Sequence, residues 1–264
     1  MSGAITGGAL VTGASKRLGR SMALYLAGRG HDVALHYASS RDEAEATASE
    51  ARALGVKAVI LRADLLDEGA MAALVPDAAQ ALGVPLGVLV NNASIFEHDT
   101  IFTATPESWD RHIGSNLRAP FVLTQAFARQ ALPAAPDEAG EPRARALVVN
   151  MIDQRVRKLT PEYMTYTIAK MGLWAFTRTA AQALAPAIRV NAIGPGPTLR
   201  GGRQSAAHFA KQRAACLLQR GANTADIDAA LGYFLDAPSV TGQLLCLDGG
   251  QHLAWETPDV LGVE

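Results

Sequence analysis

The chain is poor in cysteine, holding only Cys216 and Cys246. They stand far apart with no paired spacing, which excludes a zinc-ribbon motif and a disulfide framework as the organising device. Both are read as inert thiols. The six histidines are equally scattered, and none pairs with another His, Cys or carboxylate at metal-ligand spacing, so no structural metal is expected. Charge of one sign is also missing: 24 Lys and Arg stand against 25 Asp and Glu, mixed along the chain. No basic stripe is available for nucleic acid or an acidic membrane surface, and neither is an expected partner. No apolar run reaches the length of a bilayer span. Met1 is followed almost at once by a strand, without the basic region and apolar stretch of a leader. The reading is a cytoplasmic protein that binds a small-molecule substrate.

What is present is alternation. At 264 residues, one α/β domain covering residues 1–264 is expected rather than two. Short apolar runs begin at Ala9, Asp32, Ala58, Gly87, Ala146, Ile188 and Gln243, with Ala-rich helical patterns between them. Alternating β and α units imply a doubly wound parallel sheet covered by helices on both faces. The first unit passes from a strand through Gly13, Ser15, Lys16, Arg17, Leu18 and Gly19 into an amphipathic helix. Glycines there let the backbone approach a ligand, and the helix N-terminus offers N–H groups to a pyrophosphate. This predicts a dinucleotide site.

The second strand ends in His36, Tyr37, Ala38, Ser39, Ser40 and Arg41. An NAD-binding chain usually places an acid there for the ribose 2′-hydroxyl. Donors in its place favour a 2′-phosphate, and so NADPH. Asp64, followed by Leu65, is placed to accept from an adenine amine or to cap a helix. The fourth strand ends in Asn91, Asn92, Ala93 and Ser94, small polar residues that allow close backbone approach to a cofactor, and Phe96 follows. Thr105-Pro106-Glu107 signals a helix start. Pro120 deprives the Asn116 carbonyl of its intrahelical donor, freeing it to hold a water on a proton path.

The stretch that carries the chemistry runs from Val148 to Lys170. An apolar strand ends at Asp153, and a helix then presents Tyr166 and Lys170 four residues apart on one face, where an ammonium favours a phenolate. Residues 133–145 read as a mobile surface connection. Pro195, Gly196 and Thr198 form a rigid turn suited to the nicotinamide end of the cofactor. Residues 199–220 read as a helical flap over the site. The tail from Trp255 is expected to fray or pack on a neighbour.

The ordered set of TGASKRLG, NNAS, Asn116, Tyr166-x-x-x-Lys170, Pro195-Gly196 and Asp248-Gly249-Gly250 resembles the short-chain dehydrogenase/reductase superfamily over nearly the whole chain. The resemblance implies a single Rossmann domain with a seven-stranded parallel sheet, a nicotinamide cofactor and a homotetramer. It implies that Tyr166 donates the proton, Lys170 holds the nicotinamide ribose and lowers the tyrosine pKa, and Asn116 supports a water chain.

Two departures narrow it. Arg17 stands where most members have Gly, and Asp153 where most have Ser. Together with Asn92 to Phe96 and the His36-Tyr37 and Ser39-Ser40 segment, these resemble pteridine reductases and the bacterial dihydromonapterin reductases. Ketone reduction builds alkoxide charge. A carboxylate about 4 Å away opposes that charge by roughly 4 kcal/mol at an effective dielectric near 20, about a thousandfold in rate. Reducing a pterin C=N bond instead requires protonation of nitrogen, which an Asp–Tyr pair suits. Ser94, Phe96, Asp153, Tyr166 and Arg17 are the expected substrate contacts, with Phe96 stacking on the pterin and Arg17 bridging it to a cofactor phosphate. The alternatives are a general NADPH-dependent carbonyl or 3-oxoacyl reductase and, third, a silent NADPH-binding sensor.

Overall fold

Strict two-residue alternation makes each strand a divider between two cores. In the computed structural model, which describes residues 5–202 and 204–256, Ala9, Val11, Val33, Leu35, Val88, Val90, Leu147 and Val149 pack on one side. Leu10, Ala34, Leu89, Val148 and Val190 pack on the other. The strands are β1 (Gly8–Val11), β2 (Val33–Tyr37), β3 (Ala58–Arg62), β4 (Leu86–Asn91), β7 (Ala146–Met151), β8 (Ile188–Pro195) and β9 (Leu244–Leu247). They form one seven-stranded sheet in the order β3-β2-β1-β4-β7-β8-β9, every pairing parallel.

Helices α1 (Arg17–Gly28), α2 (Arg41–Ala53) and α8 (Thr224–Asp236) cover the first side through residues such as Met22, Leu26, Ala48, Ile227 and Phe234. Helices α3 (Glu68–Leu82), α5 (Ala119–Gln130) and α6 (Met164–Leu184) cover the second with Met71, Leu74, Phe127 and Ala181. Both faces are therefore buried, as the near-continuous apolar strands require. The strand order reverses between β1 and β4, which opens the crevice above their C-terminal ends where α/β proteins bind ligands. Among the described residues no helix is long and apolar enough to cross a membrane.

The structure corrects several local expectations. Residues 133–145 close into a small antiparallel hairpin of β5 (Ala135–Pro136) and β6 (Pro142–Arg143). The Asp137 carboxylate nucleates its turn by accepting from Ala139 N at 2.9 Å and Glu141 N at 3.0 Å. Asp64 does not cap α3. That role belongs to Asp67, which accepts from Ala70 N at 2.7 Å, while Asp64 accepts from Leu66 N at 2.9 Å in the preceding turn. Thr105 caps α4 (Pro106–Ile113) reciprocally with Ser108, as the Thr-Pro-Glu signal implied. Between α4 and α5 the chain widens into a π-turn, Gly114–Arg118, where Ala119 N–H reaches back to Gly114 O. Within residues 199–220 lies α7 (Ala206–Ala214), capped by Ser205. Of the expected tail, residues 257–264 lie outside the described residues.

Candidate active site

The crevice starts at the β1 turn. Gly13 has φ +62°, a left-handed conformation that favours glycine. A Cβ on Gly19 would meet Gly13 O at 2.2 Å and Asn92 Nδ2 at 2.5 Å, so close packing of α1 on this turn excludes any larger residue. Thr12 and Asn92 lock the turn to β4. Thr12 Oγ1 accepts from Asn92 N at 2.8 Å and Ala93 N at 2.9 Å, and Asn92 Nδ2 donates to Thr12 O at 2.8 Å. The N-cap of α1, Lys16, makes no side-chain bond to the helix start, so the first-turn N–H groups are left without a side-chain cap of their own. Ser15 and Leu65 are buried, Leu18 packs on the core, and Ser39 is exposed. Lys16 Nζ donates to Ser40 Oγ at 3.0 Å, which places an ammonium at the end of β2. At the other end of the crevice a Cβ on Gly196 would meet the Asp248 Cβ at 2.5 Å, and Thr198 Oγ1 donates to Gly196 O at 3.2 Å. The Pro195–Thr198 turn is thereby fixed.

Two assignments change here. His36 does not present donors to a 2′-phosphate. It is buried, Gly13 N–H donates to its Nδ1 at 3.0 Å, and the remaining N–H at Nε2 donates to Ala63 O at 3.0 Å. Burial holds its pKa below the usual histidine value, so the ring is neutral and works as a brace behind the glycine turn. Tyr37 is likewise buried at the strand end. Arg17, at φ 57°, donates to Arg200 O at 2.8 Å and Leu199 O at 3.1 Å. Its guanidinium joins the dinucleotide turn to the start of the 199–220 segment.

The chemical cluster lies where β7 ends. Tyr166 O–H donates to Asp153 Oδ2 at 3.0 Å, and the other Asp153 oxygen accepts from Arg155 N at 2.8 Å. Lys170 Nζ donates to Met151 O at 2.8 Å and sits 5.6 Å from the centroid of the Tyr166 ring. Asn116 Oδ1 accepts from Ile95 N at 2.9 Å and its Nδ2 donates to Ile95 O at 2.8 Å. Its side chain therefore holds the loop after β4, and the π-turn is what presents it. Phe96, 45% exposed, is stacked on Tyr163 at 4.3 Å and meets Tyr166 edge-on at 4.7 Å. One face of Phe96 is thus already covered by Tyr163.

The electrostatics overturn the idea that Lys170 acidifies Tyr166. Burial, then the neighbouring Asp153, pushes the tyrosine well above its ordinary value of 10.0. Burial also raises Asp153 above the usual carboxylate range, against the pull of Arg155, Tyr166 and Lys170. Lys170 is itself lowered to about 8 by burial, with Asp153 opposing. Of the two, the phenol is the weaker acid, so the proton between them stays on Tyr166 and Asp153 accepts the hydrogen bond.

Sequence reasoning missed a neighbouring buried polar core of Asp99, His112 and Thr165. Their spacing follows no motif. Only the immediate precedence of Thr165 to Tyr166 hinted at it. Among the described residues no group of three or more His, Cys, Asp or Glu is disposed to hold a metal.

A family profile described as Enoyl-(Acyl carrier protein) reductase matches residues 13–252. The 3-oxoacyl-[acyl-carrier-protein] reductase FabG of Staphylococcus aureus is 31% identical over 255 residues, 94% of this chain and 99% of the relative. The solved structure of FolM Alternative dihydrofolate reductase 1 from Brucella suis in complex with NADP is 44% identical. It superposes with a TM-score of 0.88 over 96% of this chain and 98% of that one. A short chain dehydrogenase from Burkholderia cenocepacia, also in complex with NADP, is 30% identical with a TM-score of 0.83, covering 94% and 98%.

Proposed function

The chain belongs to the short-chain dehydrogenase/reductase superfamily, and from that premise we propose that it reduces a ring C=N bond of a dihydropterin, with NADPH as its cofactor. The observation that carries this reading is the Asp153–Tyr166 hydrogen bond of 3.0 Å. A substrate oxygen that accepts from Tyr166 lies beside Asp153 as well, and growing alkoxide charge there is opposed by the carboxylate. A ring nitrogen that takes up a proton has the opposite requirement. Its exocyclic amine donates to the carboxylate, and the protonated intermediate is stabilised by it.

The residues present fit the cofactor. The Gly13 turn has no room for side chains, the α1 start offers N–H groups to a pyrophosphate, and Lys16, Ser39, Ser40 and Arg41 would hold the 2′-phosphate. Asp64 and Leu65 would receive the adenine end, and Asn92, Ala93, Ser94, Pro195, Gly196 and Thr198 the nicotinamide end. NADPH when bound supplies the hydride. Tyr166 passes its proton to the ring nitrogen, with Asp153 keeping the phenol protonated until that moment. The Lys170 ammonium offsets the charge left on the phenol oxygen. Met151 O occupies one of its three donors, which leaves others for the nicotinamide ribose. Asn116 holds the Ile95 backbone and so the wall bearing Ser94 and Phe96. A homotetramer is part of the proposal, supported by Trp109, Phe121, Ile168 and Met171, apolar side chains exposed on α4, α5 and α6.

The similarity to FabG favours a second reading, a general carbonyl or 3-oxoacyl reductase. The test is NADPH oxidation with dihydromonapterin, dihydrobiopterin, dihydrofolate and a panel of 3-oxo esters, run side by side. Turnover of a dihydropterin with little of the ketones supports the proposal, and the reverse replaces it with the second reading.

A further inference from the structure

Helix α6 carries Tyr166 and Lys170, yet its own sequence supplies no cap. Tyr163, just before its first turn, has φ 58° and makes no side-chain bond to the helix start. The N–H groups at its start are met by Asp99, on the loop that follows β4. Asp99 O accepts from Tyr163 N at 2.8 Å and Met164 N at 3.4 Å, and the Asp99 carboxylate accepts from Thr165 N at 3.2 Å. The same carboxylate receives the hydroxyl of Thr165 and, at 3.1 Å, that of Ser108 on α4. An anion at a helix N-terminus is also favoured by the helix dipole.

The chain of donors extends further. Thr165 Oγ1 lies 2.7 Å from His112 Nδ1, and His112 Nε2 accepts from Glu97 N at 3.1 Å. Because Nε2 accepts, the ring proton must sit on Nδ1 and point at Thr165. Every donor then has an acceptor: His112 to Thr165, Thr165 to Asp99. The exposures are 0% for His112 and 2% each for Thr165 and Asp99. Burial raises the Asp99 pKa, but its bonds from Thr165 and Ser108 outweigh this and hold it below the ordinary carboxylate value. His112 is kept neutral chiefly by burial, and its ring packs 6.0 Å from that of Tyr166. Three site segments meet at this point: the loop of Ser94 and Phe96, the helix leading to Asn116, and the first turn of α6.

We infer that Asp99, Thr165 and His112 are positioning residues for Tyr166, fixing the axial register of α6 against the wall of the crevice that faces cofactor and substrate. The inference rests on the reading of Tyr166 as the proton donor, but not on which substrate is reduced. None of the three touches the reacting atoms. Their effect is on placement, to which proton transfer and hydride transfer geometry are steep: about 1 Å of misplacement is worth on the order of a hundredfold in rate.

The test is Thr165→Val, which keeps the shape and removes the hydroxyl, beside Thr165→Ser, which restores it. Each is assayed with whichever substrate the wild type turns over best, dihydropterin or ketone. The choice of substrate decides the proposed function; the ratio of variant to wild type decides this inference. The expected result is a fall in kcat of roughly tenfold to a hundredfold for Thr165→Val, with KM and the NADPH dissociation constant within about twofold. Thr165→Ser should recover most of the rate. Hydrogen exchange, read without substrate, should show faster exchange at residues 163–167 in the Val variant while the strand amides stay protected. Asp99→Asn, which keeps the acceptors, is the second variant should Thr165→Val fold poorly, and it should retain more activity than Asp99→Ala. Wild-type kcat in Thr165→Val, or equal losses in the Val and Ser variants, would overturn the assignment.

Discussion

Lys170 is 2% exposed, and burial takes its pKa from 10.5 down to about 8. In the unfolded chain the ammonium keeps its proton up to the higher value; in the fold it gives it up at the lower one. Between them the unfolded state binds more protons, so stability rises with pH through this window and the cost of the buried charge is fully present below it. A gap of this size amounts to about 3 kcal/mol against the fold at neutral pH. Most of that is relieved on going from about pH 7 to about pH 10. Lys170→Met has no such titration. Its loss of the bond to Met151 O, worth on the order of 1–3 kcal/mol, shifts the variant's stability without adding a titration of its own. Urea unfolding of the cofactor-free wild type and variant, paired at each pH, should show the wild type gaining on the order of 2–3 kcal/mol on the variant over that interval. The variant should also lose most turnover and bind NADPH more weakly, since one ammonium is proposed to serve both the phenol and the ribose. A stability difference that stays constant with pH would refute the picture of a buried, desolvated ammonium.

NADPH should exceed NADH by at least about tenfold in kcat/KM, a difference of about 1.4 kcal/mol, because Ser39, Ser40 and Arg41 follow β2 where an acid would select NADH and Lys16 reaches Ser40 there; equal efficiencies refute it. Phe96→Ala should raise KM for the pterin while the dissociation constant of NADPH stays close to wild type, and unchanged kinetics with an earlier melt would make Phe96 a packing residue only. His36→Leu should lose on the order of 2–4 kcal/mol of stability by stranding Gly13 N–H and Ala63 O, and should weaken NADH and NADPH binding alike. An effect confined to NADPH would instead mean direct contact with the 2′-phosphate.

The fold was legible because each strand announces itself as a short apolar run and each helix as a 3.6-residue pattern. Gly13 and Gly19 marked the dinucleotide turn, since both fall within one strand–turn–helix unit of the sequence, although the residues they pack against, Asn92 and Ala93, do not. Asp153, Tyr166 and Lys170 were legible for the same reason, lying at one strand end and on one helix face. His36 was misread because a donor at a strand end looks alike whether it faces solvent or turns under the glycine loop. The acidified tyrosine was misread because Tyr-x-x-x-Lys spacing fixes the ammonium's approach but not the burial that depresses its pKa, nor the carboxylate that dominates the phenol. Arg17 and the Asp99 cap involve partners more than sixty residues distant, Leu199 and Thr165, and no local pattern encodes such a meeting.

The central claim is that Asp153 makes this a C=N rather than a C=O reductase, and the ratio of kcat/KM for a dihydropterin to that for a 3-oxo ester, measured in the wild type and in Asp153→Ser, tests it most directly. A serine hydroxyl donates to a developing alkoxide and removes the opposing charge of roughly 4 kcal/mol. Pterin reduction should therefore fall and ketone reduction rise from near zero, inverting the ratio by up to about a thousandfold. NADPH affinity should be unchanged. A wild type that already prefers the ketone, or a ratio that does not move in the Ser variant, would contradict the account.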